Sequence, residues 1–583
     1  MSDRACDAVA RYSFAVALLT AAVLSGCSGS NDKMEPIPPA KVVTAVTLNT
    51  FDVSTVSGSD GVAFVNSGRY AVMPQFAATK DFATGEQRAT VPDYAFTIGG
   101  IGAVTARVAP VALPPVNLSF VEAFHLRMRA MEREEAPRAI AFMQQLRTRP
   151  PVSLRSQSAP IQAVRSFTVL SALRPVAYTR VTGRLAYTGS NILVYVDSQA
   201  VAGPTFTDAD YMALGRQFDV DLYPIDASAF GSPTDIDANG KSIVLFTPIV
   251  NRLTLSEGQC GTYVAGFVNS ADLSGNASGN SAEILYLSVP GEPAGGPTCT
   301  PLSVALLRQS SPATFIHEQQ HIISFGQHVL NRGGSAEDVW LNEGLSHIAE
   351  ELGGKLYEGR YPCPNLPPCP ASPGRSSPAQ IFPDSAQGFL PPNFSNAYDY
   401  FSSRTAYSLT SPTSLGTLEE RGAAWLFLRW LIDQKGEARL PQLVQTKNIG
   451  TANIEAMAGE SFTTLFADFL AATLLDDFPG TTAGQIPSRY QYPSRNLRAI
   501  YARLNVVAAA SFPTAYPLDV KDLSPAEKLT PDSPVSAYRM KPGTLDLFQF
   551  TSSGANGGLA FKPPTGRFLS TLNAQVTVIR LPD

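Results

Sequence analysis

Apolar and polar positions along this chain change period several times, and each change marks an element boundary. Between residues 40 and 115, short alternating runs such as KVVTAVTLNTF and RYAVMPQF predict a β-rich segment, a small sandwich. Residues 118–147 change to helical spacing with mixed charge, interrupted at Pro137, and TRPPVSLRSQSAP follows as a linker. From about 165, strands and helices alternate. RLAYTGSNILVYVD reads as a buried strand, and TDADYMALGRQFDVDLY as a helix with Thr207 and Asp208 as cap candidates. GSPTDIDANGKSIVLFTPIV is a turn and then a strand; SAEILYLSVP is another strand. The stretches 303–330 and 339–354 are helical, a Pro/Ser/Tyr-rich loop fills 359–415, and helices return in EERGAAWLFLRWLIDQKG, NIEAMAGESFTTLFADFLAATLL and SRNLRAIYARL. From about 512, alternation returns in GTLDLFQFT and AQVTVIRL as a C-terminal β module.

The pattern predicts an α+β protein in parts: 40–115 β-rich, 116–164 helix and linker, 165–511 a mixed domain, 512–583 a β module. A chain of 583 residues is too long for one ordinary core, in keeping with that division. The net charge of −5, without basic blocks, gives no reason to expect nucleic acid or an anionic membrane surface as partner.

The N-terminus changes the picture. Arg4 and Arg11 precede the apolar run Phe14–Leu24, too short to span a bilayer and suited to a signal-peptide core. LSGC, Leu24 to Cys27, resembles the lipobox of bacterial lipoproteins. The expectation is a signal over 1–26, lipid on Cys27, a Ser/Gly-rich tether over 27–39, and residence in the cell envelope, at the outer membrane or cell surface. The lipid would be the only link to a membrane. Export makes the remaining cysteines, Cys260, Cys299, Cys363 and Cys369, candidates for two disulfides. Cys363–Cys369 and Cys260–Cys299 are the favoured pairs among three possible sets. A cysteine zinc site is disfavoured by the lack of a C-x-x-C pair.

The chemistry concentrates in ATFIHEQQHIISF, residues 313–325. His317 and His321 stand one turn apart on one helix face and can take two corners of a zinc tetrahedron. Glu318 is rotated about 100° from His317, beside a metal rather than on it, where a carboxylate can accept a proton from water. The apolar flanks argue against exposed helix histidines, since buried imidazoles need partners. Twenty-one residues after His321, WLNEGLSHIAEE offers Glu343 as a third ligand on a second helix. Three protein ligands with one open position is the composition of a catalytic site.

H-E-x-x-H followed by W-L-N-E-G-L-S-x-x-A-E resembles the gluzincin metallopeptidases, with thermolysin as archetype, and within them the hyicolysin-like branch of bacterial secreted zinc peptidases. The resemblance spans roughly 180–510 and leaves out the flanking β segments. It implies a thermolysin-like catalytic domain with an αβ upper lobe and a helical lower lobe, His317, His321 and Glu343 as zinc ligands, and Glu318 as general base. One departure is His347, where the thermolysin pattern has an aspartate orienting a ligand histidine; His347 is expected behind the ligands. Glu350 and Glu351 are expected on the solvent face. His328 stands two turns beyond His321, too far to reach across a cleft, and His125 on the N-terminal helix is expected to be packed or solvated. Gluzincins of this kind often stabilise the oxyanion with a tyrosine. Tyr398, Tyr400 and Tyr407 are available; Tyr407 is preferred, with Arg421 as competitor.

DIDANG opens like a calcium loop, placing Asp235, Asp237 and Asn239 for a possible Ca²⁺. Phe246 occupies the position where an EF-hand needs glutamate, so a hairpin turn is the competing account. Taken together, the sequence points to an envelope-anchored endopeptidase with one Zn²⁺ and peptide or protein substrates. The rivals are a surface-anchored binding or adhesion protein with an inactive zinc domain, disfavoured by the intact Glu318, and a zinc hydrolase of another amide.

Overall fold

The computed structural model describes residues 43–77, 94–100, 118–148, 161–200, 206–360, 388–410, 416–523, 534–552, 554, 557–562 and 574–583. Cys27, Cys363 and Cys369 lie outside the described residues, as do the signal and the tether.

Alternating apolar positions at the start form strands β1 (Val43–Val46), β2 (Val53–Val56), β3 (Gly61–Phe64), β4 (Gly68–Phe76) and β5 (Tyr94–Gly100). Helix α1 (Phe120–Thr148) then runs through Pro137 without ending there. Ala136 and Ala139 beside the proline are buried, and this packing outweighs the lost backbone hydrogen bond. The alternating region gives β6 (Val164–Leu173), β7 (Val176–Thr188), β8 (Ile192–Asp197), α2 (Asp208–Gln217), α3 (Tyr223–Phe230), β9 (Ser242–Phe246), α4 (Pro248–Arg252), β10 (Gly266–Val268) and β11 (Ile284–Leu287). Thr207 caps α2 in a capping box with Asp210. The helical part comprises α5 (Val304–Phe325), α6 (Val339–Arg360), α7 (Pro391–Ser402), α8 (Leu418–Lys435), α9 (Leu440–Val444), α10 (Gly450–Ala458), α11 (Phe462–Leu475) and α12 (Leu497–Val507). Six strands follow: β12 (Lys521–Asp522), β13 (Pro534–Met540), β14 (Thr544–Leu545), β15 (Phe548–Ser552), β16 (Gly557–Lys562) and β17 (Ala574–Arg580).

The central sheet has the order β10-β11-β9-β8-β7-β6, with β8, β9 and β11 parallel and the rest antiparallel. The apolar run of β8 is buried at every position because both faces of the sheet are covered. Val194, Val244 and Leu285 face the large core shared with α5 and the other helices. Leu193, Leu245 and Tyr286 face the opposite way, onto Phe124, Met128 and Met131 of α1. Helix α1 therefore roofs the outer face of this sheet and meets its edge strand, where Phe124 and Phe267 rings lie 5.5 Å apart.

The flanking β segments, read separately along the sequence, contribute to the same two sheets. One has the order β1-β3-β16-β5-β13 and the other β12-β15-β4-β17-β2, with β14 also on β4. Tyr70 and Val72 of β4 point between these sheets, while Ala71 and Met73 point into the large core of the mixed domain. The two-residue period of a strand thus joins the sandwich to the mixed domain through one element. No helix among the described residues is long and apolar enough to cross a membrane.

Candidate metal centre

Helix α5 begins where Ser303 accepts the backbone N–H of Leu306 at 3.1 Å. From Phe315 onward it is buried on every side, so its polar residues His317, Glu318, Gln319, Gln320 and His321 need partners inside the protein. His317, Glu318 and His321 are accordingly 6%, 2% and 0% exposed. Helix α6 packs across it and brings Glu343, 1% exposed, to the two imidazoles. His317 Nε2 lies 3.5 Å from Glu343 Oε2, and His321 Nε2 3.8 Å from Glu343 Oε1. Ligand atoms of the three residues fall within 4.8 Å of one another.

Each imidazole has a partner on its far nitrogen. His317 Nδ1 sits 2.7 Å from Glu350 Oε1, and His321 Nδ1 3.1 Å from Asn342 Oδ1. Such contacts leave the Nε2 atoms turned toward the shared point. Arg421 Nη1 is 3.0 Å from Glu343 Oε2. Gly422 makes this possible: a Cβ there would meet the backbone of Asn396 at 2.3 Å, so glycine alone lets α8 lie this close to α7.

The electrostatics suit a cation. Burial pushes the Glu343 carboxyl up, but Arg421, His317 and His321 together hold it well below the usual carboxylate range. Burial, then Arg129, keeps His321 well below the ordinary imidazole value, so it is neutral and has a lone pair to give. Burial opposes a charge on His317, yet Glu343 and Glu350 raise it to about 10, and the proton they favour occupies a place that a cation could take. Burial pushes the Glu318 carboxyl above its ordinary range, against the pull of His317 and Arg129. Neither oxygen of Glu343 has an aligned hydrogen bond, nor has Glu318 Oε2. Two buried imidazoles and a buried carboxylate without an aligned hydrogen bond make a donor set that fits a zinc ion.

A cavity of about 330 Å³ opens onto this group. Its walls include His317, Glu318, His347, Glu350, Arg421, Tyr263 and Gly266 of the edge strand, together with Glu122 and His125 of α1. His125 is therefore part of the cavity wall. It is 9% exposed, its Nδ1 has no partner, and burial with Arg421 nearby lowers its pKa well below the ordinary value.

Several expected positions move. Glu350 and Glu351 are 9% and 0% exposed, not on the solvent face. Glu350 bridges His317 Nδ1 and His347 Nδ1, the latter at 3.0 Å, and the two imidazoles hold its carboxyl at about 2 against burial. The carboxylate partner of His317 is thus Glu350, and His347 stands one step further out. Glu351 accepts from Arg495 Nε at 2.7 Å and from Trp425 Nε1 at 3.1 Å. Tyr407 is outside the cavity lining; burial and its bond to Glu419 raise its pKa to about 12. Tyr398 pairs with Thr514, Tyr400 is buried in the core, and His328 lies 3.7 Å from Glu337.

Cys260 and Cys299 form a disulfide with Cα atoms 5.3 Å apart, stapling the loops on either side of β10 and β11. In the Asp235–Gly240 turn, Gly240 N donates to Asp235 Oδ1 at 3.0 Å, Asn239 Nδ2 to Asp237 Oδ2 at 2.9 Å, and Arg165 pairs with Asp237 at 3.2 Å. Asp235, Asp237 and Glu283 approach one another, but Glu283 is occupied by Thr234 and Ile236. The turn is held by its own hydrogen bonds, and calcium is not needed to explain it.

No family model matches the chain. Over 196 residues it is 27% identical to the Neutral metalloprotease ShpI of Staphylococcus hyicus, an alignment covering 33% of this chain and 41% of that protein. The chain therefore matches about two-fifths of the length of this curated relative. That partial likeness supports a metallopeptidase relationship and a hydrolase, and with the His/Glu group it supports a bound metal ion.

Proposed function

We propose that this chain is an exported zinc endopeptidase, anchored at the cell envelope through lipid on Cys27. The observation that carries the reading is the convergence of His317, His321 and Glu343 within 4.8 Å beside a cavity that Glu318 also lines. Bound there, zinc would supply Lewis acidity toward the scissile carbonyl and make water easier to deprotonate. Glu318 takes the proton from the attacking water and passes it to the leaving amine, a task suited to a carboxyl raised by burial. Arg421, His125 and His347, whose Nε2 has no partner, line the cavity and are donors available to the carbonyl oxygen as it gains charge. Glu350 and Asn342 fix the rings of His317 and His321. Strand β10 ends the central sheet among the described residues, and its Gly266 lines the cavity, where an extended peptide would run beside it.

The intact Glu318 favours this reading over a binding protein with a retired site. The test incubates the full chain with unstructured casein and, separately, with an amide-containing cell-wall peptide. Casein cleavage that stops with a chelator and returns with zinc is expected. Zinc retention with cleavage of the cell-wall amide alone would replace the endopeptidase by an amidase, and zinc retention without any cleavage would favour the binding protein.

A further inference from the structure

Helix α1 precedes the mixed domain in the chain, yet it carries two buried charges that reach the metal group. Arg129 and Glu132 are 1% and 3% exposed. Arg129 Nη1 is 2.7 Å from Glu132 Oε1, and Arg129 Nε is 3.6 Å from Glu343 Oε1. On its other oxygen, Glu132 accepts from Asn342 Nδ2 at 3.1 Å, and Asn342 Oδ1 holds His321 Nδ1 at 3.1 Å. The contacts close a circuit: His321, Asn342, Glu132, Arg129, Glu343 and back to His321.

We infer that Arg129 and Glu132 are positioning residues of the metal centre, so that the N-terminal helix is a working part of the enzyme and not a removable prosegment. The inference rests on the metal centre proposed above. Within the circuit, Glu132 sets which way the Asn342 amide faces, and with it which nitrogen His321 turns inward. Arg129 braces the Glu343 carboxylate on the oxygen opposite the one Arg421 braces. The helix is fixed at both ends: Glu122 accepts the backbone N–H of Leu418 at 2.9 Å, and Arg147 donates to Leu330 O at 3.2 Å. Phe124 and Met128 pin it to the sheet between these ends. The strands before it are equally committed, since β4 lies between β15 and β17, and β5 between β16 and β13.

The experiment measures zinc affinity of the full chain by competition with a chromophoric chelator, alongside thermal unfolding of the metal-free protein. A single Glu132→Ala change leaves a lone buried guanidinium and can unfold the protein on that ground alone. The decisive variant is Arg129→Met with Glu132→Met, which removes both charges while keeping bulk, a replacement that folds tolerate. It is expected to unfold near the temperature of the unaltered protein, yet to bind zinc about 10- to 100-fold more weakly. At saturating zinc its KM should be unchanged, because neither residue touches the cavity. Should the double variant not fold, Glu132→Gln keeps the shape and is expected to cost about fivefold in affinity. Affinity within about threefold of the unaltered chain in whichever variant folds would overturn the inference. Failure of the unaltered chain to bind zinc would instead overturn the metal centre, and this inference with it.

Discussion

At the scale of residues, the site divides into what helix geometry makes local and what it does not. His317, Glu318 and His321 were legible because i, i+1 and i+4 positions decide their directions without any tertiary information. Glu350 lies inward, against expectation, and the sequence carries the signal for it: Glu343, His347 and Glu350 are i, i+4 and i+7 on one helix and form one stripe. A carboxylate on the stripe of a ligand belongs near that ligand, and Glu350 meets His317 at 2.7 Å. Glu350→Ala should weaken zinc binding by about 10- to 100-fold, read by chelator competition. The cavity wall was harder. Tyr407 was chosen by resemblance, but its hydroxyl is committed to Glu419, whereas Arg421 faces the cavity. Arg421→Ala should lower kcat/KM about 100-fold or more, while Tyr407→Phe should stay within about twofold. His125 had no local signal at all, because only the packing of α1 on the sheet edge brings it to the site.

At the scale of elements, helix α6, which carries Glu343, is held by groups that burial alone would expel. On α6, Glu351 is fully buried against Arg495 and Arg429, at 2.7 and 3.6 Å. Burial opposes its charge, but Arg429 and Arg495 outweigh it and lower its pKa from 4.5 to about 2. A carboxyl lowered on folding contributes stability that is complete above pH 4.5 and is lost as pH falls from there toward 2. The shift corresponds to about 3 kcal/mol. Acid unfolding of Glu351→Gln should lose most of that slope between those pH values, and the variant should be less stable at pH 7, where the arginines lack their counter-charge. Thermal scans across pH check both. The helix periodicity of α6 and α8 was plain in the sequence; the ion pairs joining them to Arg495 were not, because they link residues far apart in the chain.

At the scale of the whole molecule, alternation predicted strands at both ends of the chain but could not say which strands pair. The two ends share both sheets of one sandwich, since a strand pattern specifies faces and leaves partners open. Removing residues 520–583 should therefore bare both edges of β4 and yield an insoluble or partly unfolded protein, scored by solubility and near-UV circular dichroism. The same packing holds α1 against the central sheet, as the inferred role of Arg129 and Glu132 requires. The central claim remains the chemistry between His317, His321, Glu343 and Glu318. Its most direct test measures bound zinc and casein cleavage together, in the full chain and in Glu318→Gln. About one zinc per chain is expected in both, with chelator-sensitive cleavage confined to the unaltered protein. Equal cleavage by both proteins would remove Glu318 from the mechanism, and no zinc in either would contradict the site itself.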